Sequence, residues 1–192
     1  MLGARGSRDS EGIISRSIRK LFDAKVKIEE LSQGKKSVSM SVELLEIYNE
    51  QVRDLLSKNS SGEASLKISG NKVVGSIHQP VTSEAEVFKI LDRAQQRRIV
   101  KATSSNSRSS RSHLLFRIQF CISSIDGTSQ IGVLNVCDLS GSERLAKCGA
   151  NFTQGLLKET QHINLSLSTL SNVIEKLQAG DKNIPFRDSK LT

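Results

Sequence analysis

Two adjacent apolar segments joined by an Asp126-Gly127 turn constrain the fold of this 192-residue chain more than any other feature. The first segment alternates apolar with polar residues, which predicts a half-buried strand; its apolar positions are Phe116, Ile118, Phe120 and Ile122. The second segment, residues 131–137, is a nearly unbroken apolar run that ends abruptly at Asp138. Such a run is typical of a strand buried on both faces. Strands of this kind mixed with predicted helices imply a layered α/β architecture.

Apolar periodicity predicts three amphipathic helices. The first is indicated by a stripe at Ile14, Ile18, Leu21 and Phe22. The second begins at Ser83, where Glu86 completes a capping box, and its apolar face comprises Val87, Ile90, Leu91 and Ala94. The third begins at about Gly155 and ends near Gly180, and its stripe comprises Ile163, Leu167, Leu170, Ile174 and Leu177.

Other segments complete the predicted layers. Residues 38–48 begin with apolar and polar residues in alternation and form another predicted strand, and shorter strand-like segments lie near 66–68 and 73–77. The basic side chains on and after the second helix are interpreted as a solvated face; they are Arg93, Arg97, Arg98 and Lys101.

Composition narrows the class of protein. Lys and Arg outnumber Asp and Glu by 28 to 20, and the resulting charge of +8 attracts polyanions such as nucleic acid, an acidic membrane surface or an acidic protein lattice. Charge alone does not choose among these partners. The absence of Trp and the single Tyr weigh against base stacking. No apolar run approaches the ~20 residues of a membrane span.

The cysteines and histidines show no metal-ligand spacing. The cysteines, Cys121, Cys137 and Cys148, form no CxxC pair, and two of them lie in apolar runs, which predicts buried, reduced thiols. The histidines, His78, His113 and His162, are scattered. We therefore expect no metal site built from His and Cys.

The sequence Asp138-Leu139-Ser140-Gly141 lies at the carboxyl end of the most apolar strand, the edge where open α/β sheets bind ligands. An Asp in this position can hold Mg²⁺ directly or through water, and a following Gly lets its amide approach a terminal phosphate. Alone, this pattern more often makes a simple turn.

A second polar segment, Asn106-Ser107-Arg108-Ser109-Ser110-Arg111-Ser112-His113, directly precedes the alternating strand. By composition it could be a flexible loop, a phosphorylation target or an RNA-contacting tail. The following strand tethers it to a sheet, and hydroxyls beside an Arg suit a γ-phosphate and a Mg²⁺ hydration shell.

In combination, these two segments resemble the switch I and switch II sequences of the kinesin motor family. The resemblance continues in the same order along the chain, at Glu46-Ile47-Tyr48-Asn49-Glu50, at Ile163-Asn164-x-Ser166-Leu167 and at residues 184–192. It implies an α/β fold of the P-loop NTPase type, with a mixed central sheet flanked by helices, and places residues 1–192 within one motor domain truncated at both ends.

The resemblance also implies roles for the matching positions. ATP would be bound by Asn106, Ser109, Ser110, Asp138 and Gly141, and Mg²⁺ would be held by Ser110 and Asp138, largely through water. Arg111 and Glu143 would pair across the two switches and order the attacking water, in a catalytic set with Ser110 and Gly141. The implied track is the microtubule, contacted by Arg144, Lys147, Arg187 and Lys190, and no membrane or nucleic-acid partner is expected. The implied location is the cytoplasm, on microtubules.

Some family features are not in these residues. The phosphate-binding loop, G-x-x-x-x-G-K-[ST], does not occur in the sequence, and neither its strand nor the family's last helix and strand is represented. We therefore expect the 192 residues alone to bind ATP weakly or not at all, to expose strand edges and to be marginally stable. Ser140 stands where the family usually has Ala, and Leu165 where Lys or Arg is common.

The leading hypothesis is a segment of a kinesin-like motor that moves on microtubules with ATP in its full-length form, with details that favour the C-terminal-motor, minus-end-directed branch. Any dimer partner would bind through segments outside this chain. The alternative is a non-catalytic pseudomotor that binds microtubules or a partner without hydrolysis. A truncated gene product and a basic nucleic-acid binder are the remaining hypotheses.

Overall fold

The computed structural model describes residues 11–57, 65–70, 72–100, 111–141 and 154–192. The helices are α1 (Ile13–Leu31), α2 (Glu84–Val100) and α3 (Gln154–Ala179). The strands are β1 (Lys36–Tyr48), β2 (Gln51–Asp54), β3 (Lys67–Ser69), β4 (Lys72–Val74), β5 (Gln79–Val81), β6 (His113–Ser124) and β7 (Ser129–Asp138). None of the described helices is long and apolar enough to cross a membrane.

The main sheet has the order β2-β1-β6-β7, and β5 also pairs with β1. All pairings between described strands are antiparallel, and β3 and β4 form a separate hairpin. The long pairing between β1 and β6 runs from Lys36 opposite Ser124 to Ile47 opposite His113. The layered α/β class is confirmed, with a sheet flanked by helices.

The main core lies between α1, α2 and one face of this sheet. The predicted stripe of α1 is confirmed, since Ile14, Ile18 and Phe22 are buried against the even-numbered apolar residues of β1. The predicted face of α2 packs into the same cluster. Each buried aliphatic side chain of this kind stabilises the fold by about 1.5–3 kcal/mol.

Two local turn and cap predictions are confirmed. Ser83 Oγ accepts the Glu86 N–H at 3.3 Å and caps α2 as predicted, and the Glu86 carboxylate makes the return bond one residue earlier than in a standard capping box, accepting the Thr82 N–H at 2.7 Å. Gly127, at φ +84°, forms the turn between β6 and β7.

The C-terminus of α3 has the predicted glycine cap. Gly180 adopts φ +72°, its N–H donates to the Leu177 carbonyl, and the Asp181 N–H donates to the Lys176 carbonyl. These two hydrogen bonds form a Schellman motif, which satisfies carbonyls that the helix end would otherwise leave without a partner.

The prediction that residues 131–137 are buried on both faces is wrong. None of the ten residues of β7 is buried, and Ile131 and Val133 are 64% and 44% exposed. Within the described residues β7 pairs with β6 alone. Among the described strands, the side of β7 away from β6 is therefore an unpaired edge of the kind expected. For the same reason Cys137 is exposed rather than buried, whereas Cys121 is half-buried, and both are free thiols.

The apolar stripe predicted for α3 is only partly buried. Ile163 is buried, but Ile174 and Leu177 are 46% and 51% exposed. The buried face instead follows Ile163, Ser166, Thr169 and Val173. Two polar residues belong to this face because tertiary contacts, described below for Ser166, set how the helix is rotated.

The interpretation of the α2 basic residues as a solvated face is wrong for Arg98, whereas Arg93 and Arg97 are exposed. Arg97 donates to the carbonyls of Leu55 and Ser57 at 2.7 and 2.6 Å. The Arg98 side chain is 10% exposed and forms an ion pair with Glu46. Both guanidinium groups therefore connect the C-terminal part of α2 to β1 and the segment after β2.

Candidate functional site

The register of β6 and β7 places two polar segments at one edge of the sheet. Leu114, near the start of β6, lies opposite Asp138, the last residue of β7. Arg111 comes just before β6, and Gly141 lies three residues beyond Asp138. The described ends of the two predicted switch segments, residues 111–113 and 138–141, thus lie at the same edge of the sheet.

The described residues include part of the predicted nucleotide site. Arg111 and Asp138 are half-buried, and Gly141 is exposed. The predicted residues Asn106, Ser109, Ser110 and Glu143 lie outside the described residues. The Arg111–Glu143 pair therefore stays a prediction.

A buried histidine connects the two segments to α3. The Ser140 N–H donates to His113 Nδ1 at 3.1 Å, and His113 Nε2 lies 2.8 Å from Ser166 Oγ. Because Nδ1 accepts a hydrogen bond, Nε2 carries the ring hydrogen in the neutral imidazole and donates a hydrogen bond to Ser166. The Ser166 hydroxyl then donates to the Ile163 carbonyl at 2.8 Å. A continuous hydrogen-bonded chain therefore runs from the loop after β7 into α3.

The environment keeps this imidazole neutral. Burial lowers the pKa of His113, and the nearby Glu50 carboxylate opposes that shift more weakly. The Ser140 hydroxyl also lies 3.3 Å from Nδ1, a contact that the Ala usual in the family would lack. The departure at Ser140 therefore adds a hydroxyl beside the ring.

Sequence reasoning did not single out His113 and Ser166 as a pair. The available signal was a serine among apolar helix positions together with a histidine at the start of a strand. Neither feature identifies its partner, which lies 53 residues away along the chain.

Ser112, the residue before His113, is bound by the arginine of a buried Arg98–Glu46 ion pair. Arg98 Nε lies 3.4 Å from Glu46 Oε1, and Arg98 Nη2 donates to Ser112 Oγ at 2.9 Å. Glu46 belongs to β1, whose hydrogen bonds to β6 fix the same strand end. Arg98 therefore links α2, β1 and the end of the predicted switch I segment.

The C-terminal segment is anchored to the turn between β1 and β2. The Glu50 carboxylate accepts the Ser189 hydroxyl at 2.9 Å and the Lys190 N–H at 2.7 Å. Asn49 and Glu50 adopt φ +53° and +55°, the left-handed pair of a two-residue hairpin turn. Leu191 packs on the small cluster of Leu45, Ile47 and Val52.

The predicted track residues of this segment are on the surface. Arg187 and Lys190 are exposed, and so is Phe186 between Pro185 and Arg187. Residues 186–190 of this segment form turns and bends. The other two predicted track residues, Arg144 and Lys147, lie outside the described residues.

Comparisons with known proteins identify the family. A profile of the kinesin motor domain matches residues 1–192. The chain is 42% identical over 205 residues to the kinesin-like protein KIN-14N of Oryza sativa subsp. japonica, covering all of this chain and 26% of that protein.

Two solved structures are similar in fold. A fast kinesin superposes with a TM-score of 0.83 at 34% identity, over 100% of this chain and 54% of that chain. The motor domain of the Kar3-like kinesin from Ashbya gossypii superposes with a TM-score of 0.71 at 33% identity, over 94% and 54% of the two chains.

This chain belongs to the kinesin motor domain family. Its relatives are consistent with the C-terminal-motor, minus-end-directed branch. The chain spans about a quarter of the length of the curated relatives it matches and about half of the solved chains.

Kinesin motors in general bind ATP with Mg²⁺. The half-buried Asp138 carboxylate at a strand end is the hard oxygen donor that Mg²⁺ prefers, and it fits a contact made through water. The residues that the structure describes hold no cluster of three or more His, Cys, Asp or Glu side chains able to ligate a metal. A single carboxylate with water is consistent with the predicted Mg²⁺ role.

Proposed function

We propose that these residues carry the track-binding surface and the nucleotide-sensing segments of a motor that couples ATP hydrolysis to movement along microtubules. The observation that supports this most is the chain of hydrogen bonds from Ser140 through His113 to Ser166. It joins the segment proposed to sense phosphate to a long helix. The proposed location is the cytoplasm, on microtubules.

On the nucleotide side, Asn106, Ser109, Ser110, Asp138 and Gly141 would bind ATP. Mg²⁺ would be held by Ser110 and Asp138, and when bound it would neutralise charge on the phosphates. The Gly141 amide would donate to the γ-phosphate. Arg111 and Glu143 would pair to close the site and orient the attacking water.

On the track side, Arg144, Lys147, Arg187 and Lys190 would contact tubulin. The exposure of Arg187 and Lys190, on a backbone anchored by Glu50, supports this role. Contacts between exposed opposite charges weaken as salt screens them, so binding should fall steeply with ionic strength.

The track surface is tested by co-pelleting of the 192-residue chain with microtubules. The double variant Arg187→Ala/Lys190→Ala should weaken binding about tenfold or more at low salt, because two cations leave the interface. The matched control is Arg16→Ala/Lys27→Ala, which removes two exposed cations from α1. This helix covers one face of β1, whereas Leu191 of the C-terminal segment packs on the other face. Equal losses in both double variants would mean that only net charge matters and would overturn this surface.

The nucleotide side is tested by ATP turnover of the full-length form with and without microtubules. Arg111→Ala should lower microtubule-stimulated turnover about 100-fold or more, because it removes a group that acts at the transition state. Co-pelleting should persist, since Arg111 lies outside the proposed track residues. Turnover that stays at the wild-type level would contradict the role of Arg111.

A further inference from the structure

His113 makes hydrogen-bond contacts on both sides of its ring, with Ser140 in the loop after β7 and with Ser166 in α3. Nδ1 accepts from the backbone of Ser140, within the loop that follows β7. Nε2 donates to the side chain of Ser166, in the middle of α3. The ring itself is 3% exposed and sits at the first residue of β6.

We propose that His113 is a positioning residue that transmits movement of the 139–141 loop to α3. This role rests on the proposed function, in which the loop senses the γ-phosphate. An imidazole ring is rigid, so the loop and the helix cannot move independently while both hydrogen bonds are intact. A shift of the loop must either move α3 or break one of the two bonds.

The bond to Ser166 is not needed to satisfy the helix. Ser166 already donates to the Ile163 carbonyl, three residues back. Ser168 makes the same local bond to the Leu165 carbonyl at 3.0 Å on the exposed side of α3. The acceptor side of the Ser166 hydroxyl is thus available to His113, and the contact specifically connects two separate elements.

The groups around this contact belong to the same functional region. A small cleft beside the ring is lined by Asn49 and Glu50 from the β1–β2 turn, by Arg111, and by His162 and Ile163 from α3. Glu50 also holds the segment that carries Arg187 and Lys190. His113 therefore contacts α3 directly and lines the same cleft as Glu50, the anchor of the proposed track segment.

The test measures microtubule affinity of the full-length form with ADP and with a non-hydrolysable ATP analogue. Ser166→Ala removes the α3 side of the contact, and His113→Asn keeps an acceptor near Nδ1 but cannot reach Ser166. Each should reduce the ratio of the two affinities about fivefold to tenfold, a typical coupling between sites. The double variant should lose no more than either single one, because both remove the same link.

Ser168→Ala is the matched control, since it removes an identical local hydrogen bond without touching His113. A merely structural role for Ser166 would lower stability and both affinities together and leave their ratio unchanged. Ratios within twofold of wild type for Ser166→Ala and His113→Asn would overturn the coupling role. A wild-type ratio of one would instead overturn the proposed function, so the two failures are distinguishable.

Discussion

Strand β7 has the more apolar sequence of the two strands β1 and β7, yet β1 is the more buried. The stretch of β1 from Val42 to Ile47 is buried at all positions although it contains two glutamates, Glu43 and Glu46. The apolar run of β7 contains no charge before Asp138, yet no residue of that strand is buried. The more polar strand is thus the more buried one.

The difference arises from the neighbours of each strand. β1 pairs with β2, β5 and β6 and is covered by apolar clusters on both faces. Its two glutamates are tolerated because each meets an arginine: Glu46 pairs with Arg98, and Glu43 lies 3.6 Å from Arg117. An apolar run therefore shows that a strand can be buried, but the pairing and covering elements decide whether it is.

The largest expected loss of stability comes from breaking the Arg98–Glu46 ion pair, which compensates the buried charge of Glu46 in β1. Arg98→Ala should lower the free energy of unfolding by about 3–5 kcal/mol, because it leaves the Glu46 carboxylate without its guanidinium partner in a buried site. Arg93→Ala removes an exposed arginine of the same helix and should cost less than about 0.5 kcal/mol. Urea unfolding of both variants measures the difference, and equal midpoints would contradict the importance of the buried pair.

The comparison of the two strands is tested directly by the same truncation in each. Ile47→Ala in β1 should cost about 2–5 kcal/mol, because it leaves a cavity beside Leu45 and Val52. Ile131→Ala in β7 should cost under about 1 kcal/mol, since that side chain is 64% exposed. A large loss in Ile131→Ala would show that β7 is covered in solution by something beyond the described residues.

A smaller effect is the pH dependence of stability caused by the buried His113 at the start of β6. Because the folded state holds the pKa of His113 below its ordinary value of 6.5, the unfolded chain binds more protons just below that pH. The contribution of His113 to the free energy of unfolding should be fully present above pH 6.5. It should decrease as the pH is lowered, by at most about 1.4 kcal/mol per pH unit for one group.

His113→Asn should flatten the dependence of the unfolding free energy on pH below 6.5 relative to the wild type, because it removes the buried imidazole. Urea midpoints between pH 5 and 7.5 measure both slopes. A wild-type slope that persists in His113→Asn would assign the dependence to another group.

Features of the fold that depend on near neighbours were predictable from the sequence. Four such features depend only on residues within about three helical turns or one hairpin: the α1 stripe, the Ser83–Glu86 cap, the Asp126-Gly127 turn and the Gly180 cap. Their signals are local backbone geometry and periodicity. The family also followed from the order of its motifs.

The candidate site was predictable in part. The resemblance predicted that the segments before β6 and after β7 contribute to one nucleotide site, and the register brings the described ends of both segments to one edge of the sheet. The central role of His113 could not be predicted, because the identity of its partners depends on how α3 is rotated against the sheet. The apolar stripe of α3 suggested a different rotation, with Ile174 and Leu177 inward.

The sequence by itself determined the three helices, the long strands β1, β6 and β7 and the turn between β6 and β7, because those elements depend on interactions over a few residues; the short strands β2 and β5 were not predicted. The tertiary structure alone decided which apolar faces are covered, which groups the Arg97 and Arg98 guanidinium groups bind, and which groups contact His113. Those contacts join residues 27, 53 and 139 positions apart, as in Ser140 with His113, His113 with Ser166 and Glu50 with Ser189. Hydrogen bonding and burial over such separations depend on the packing of whole elements, and no local pattern encodes them.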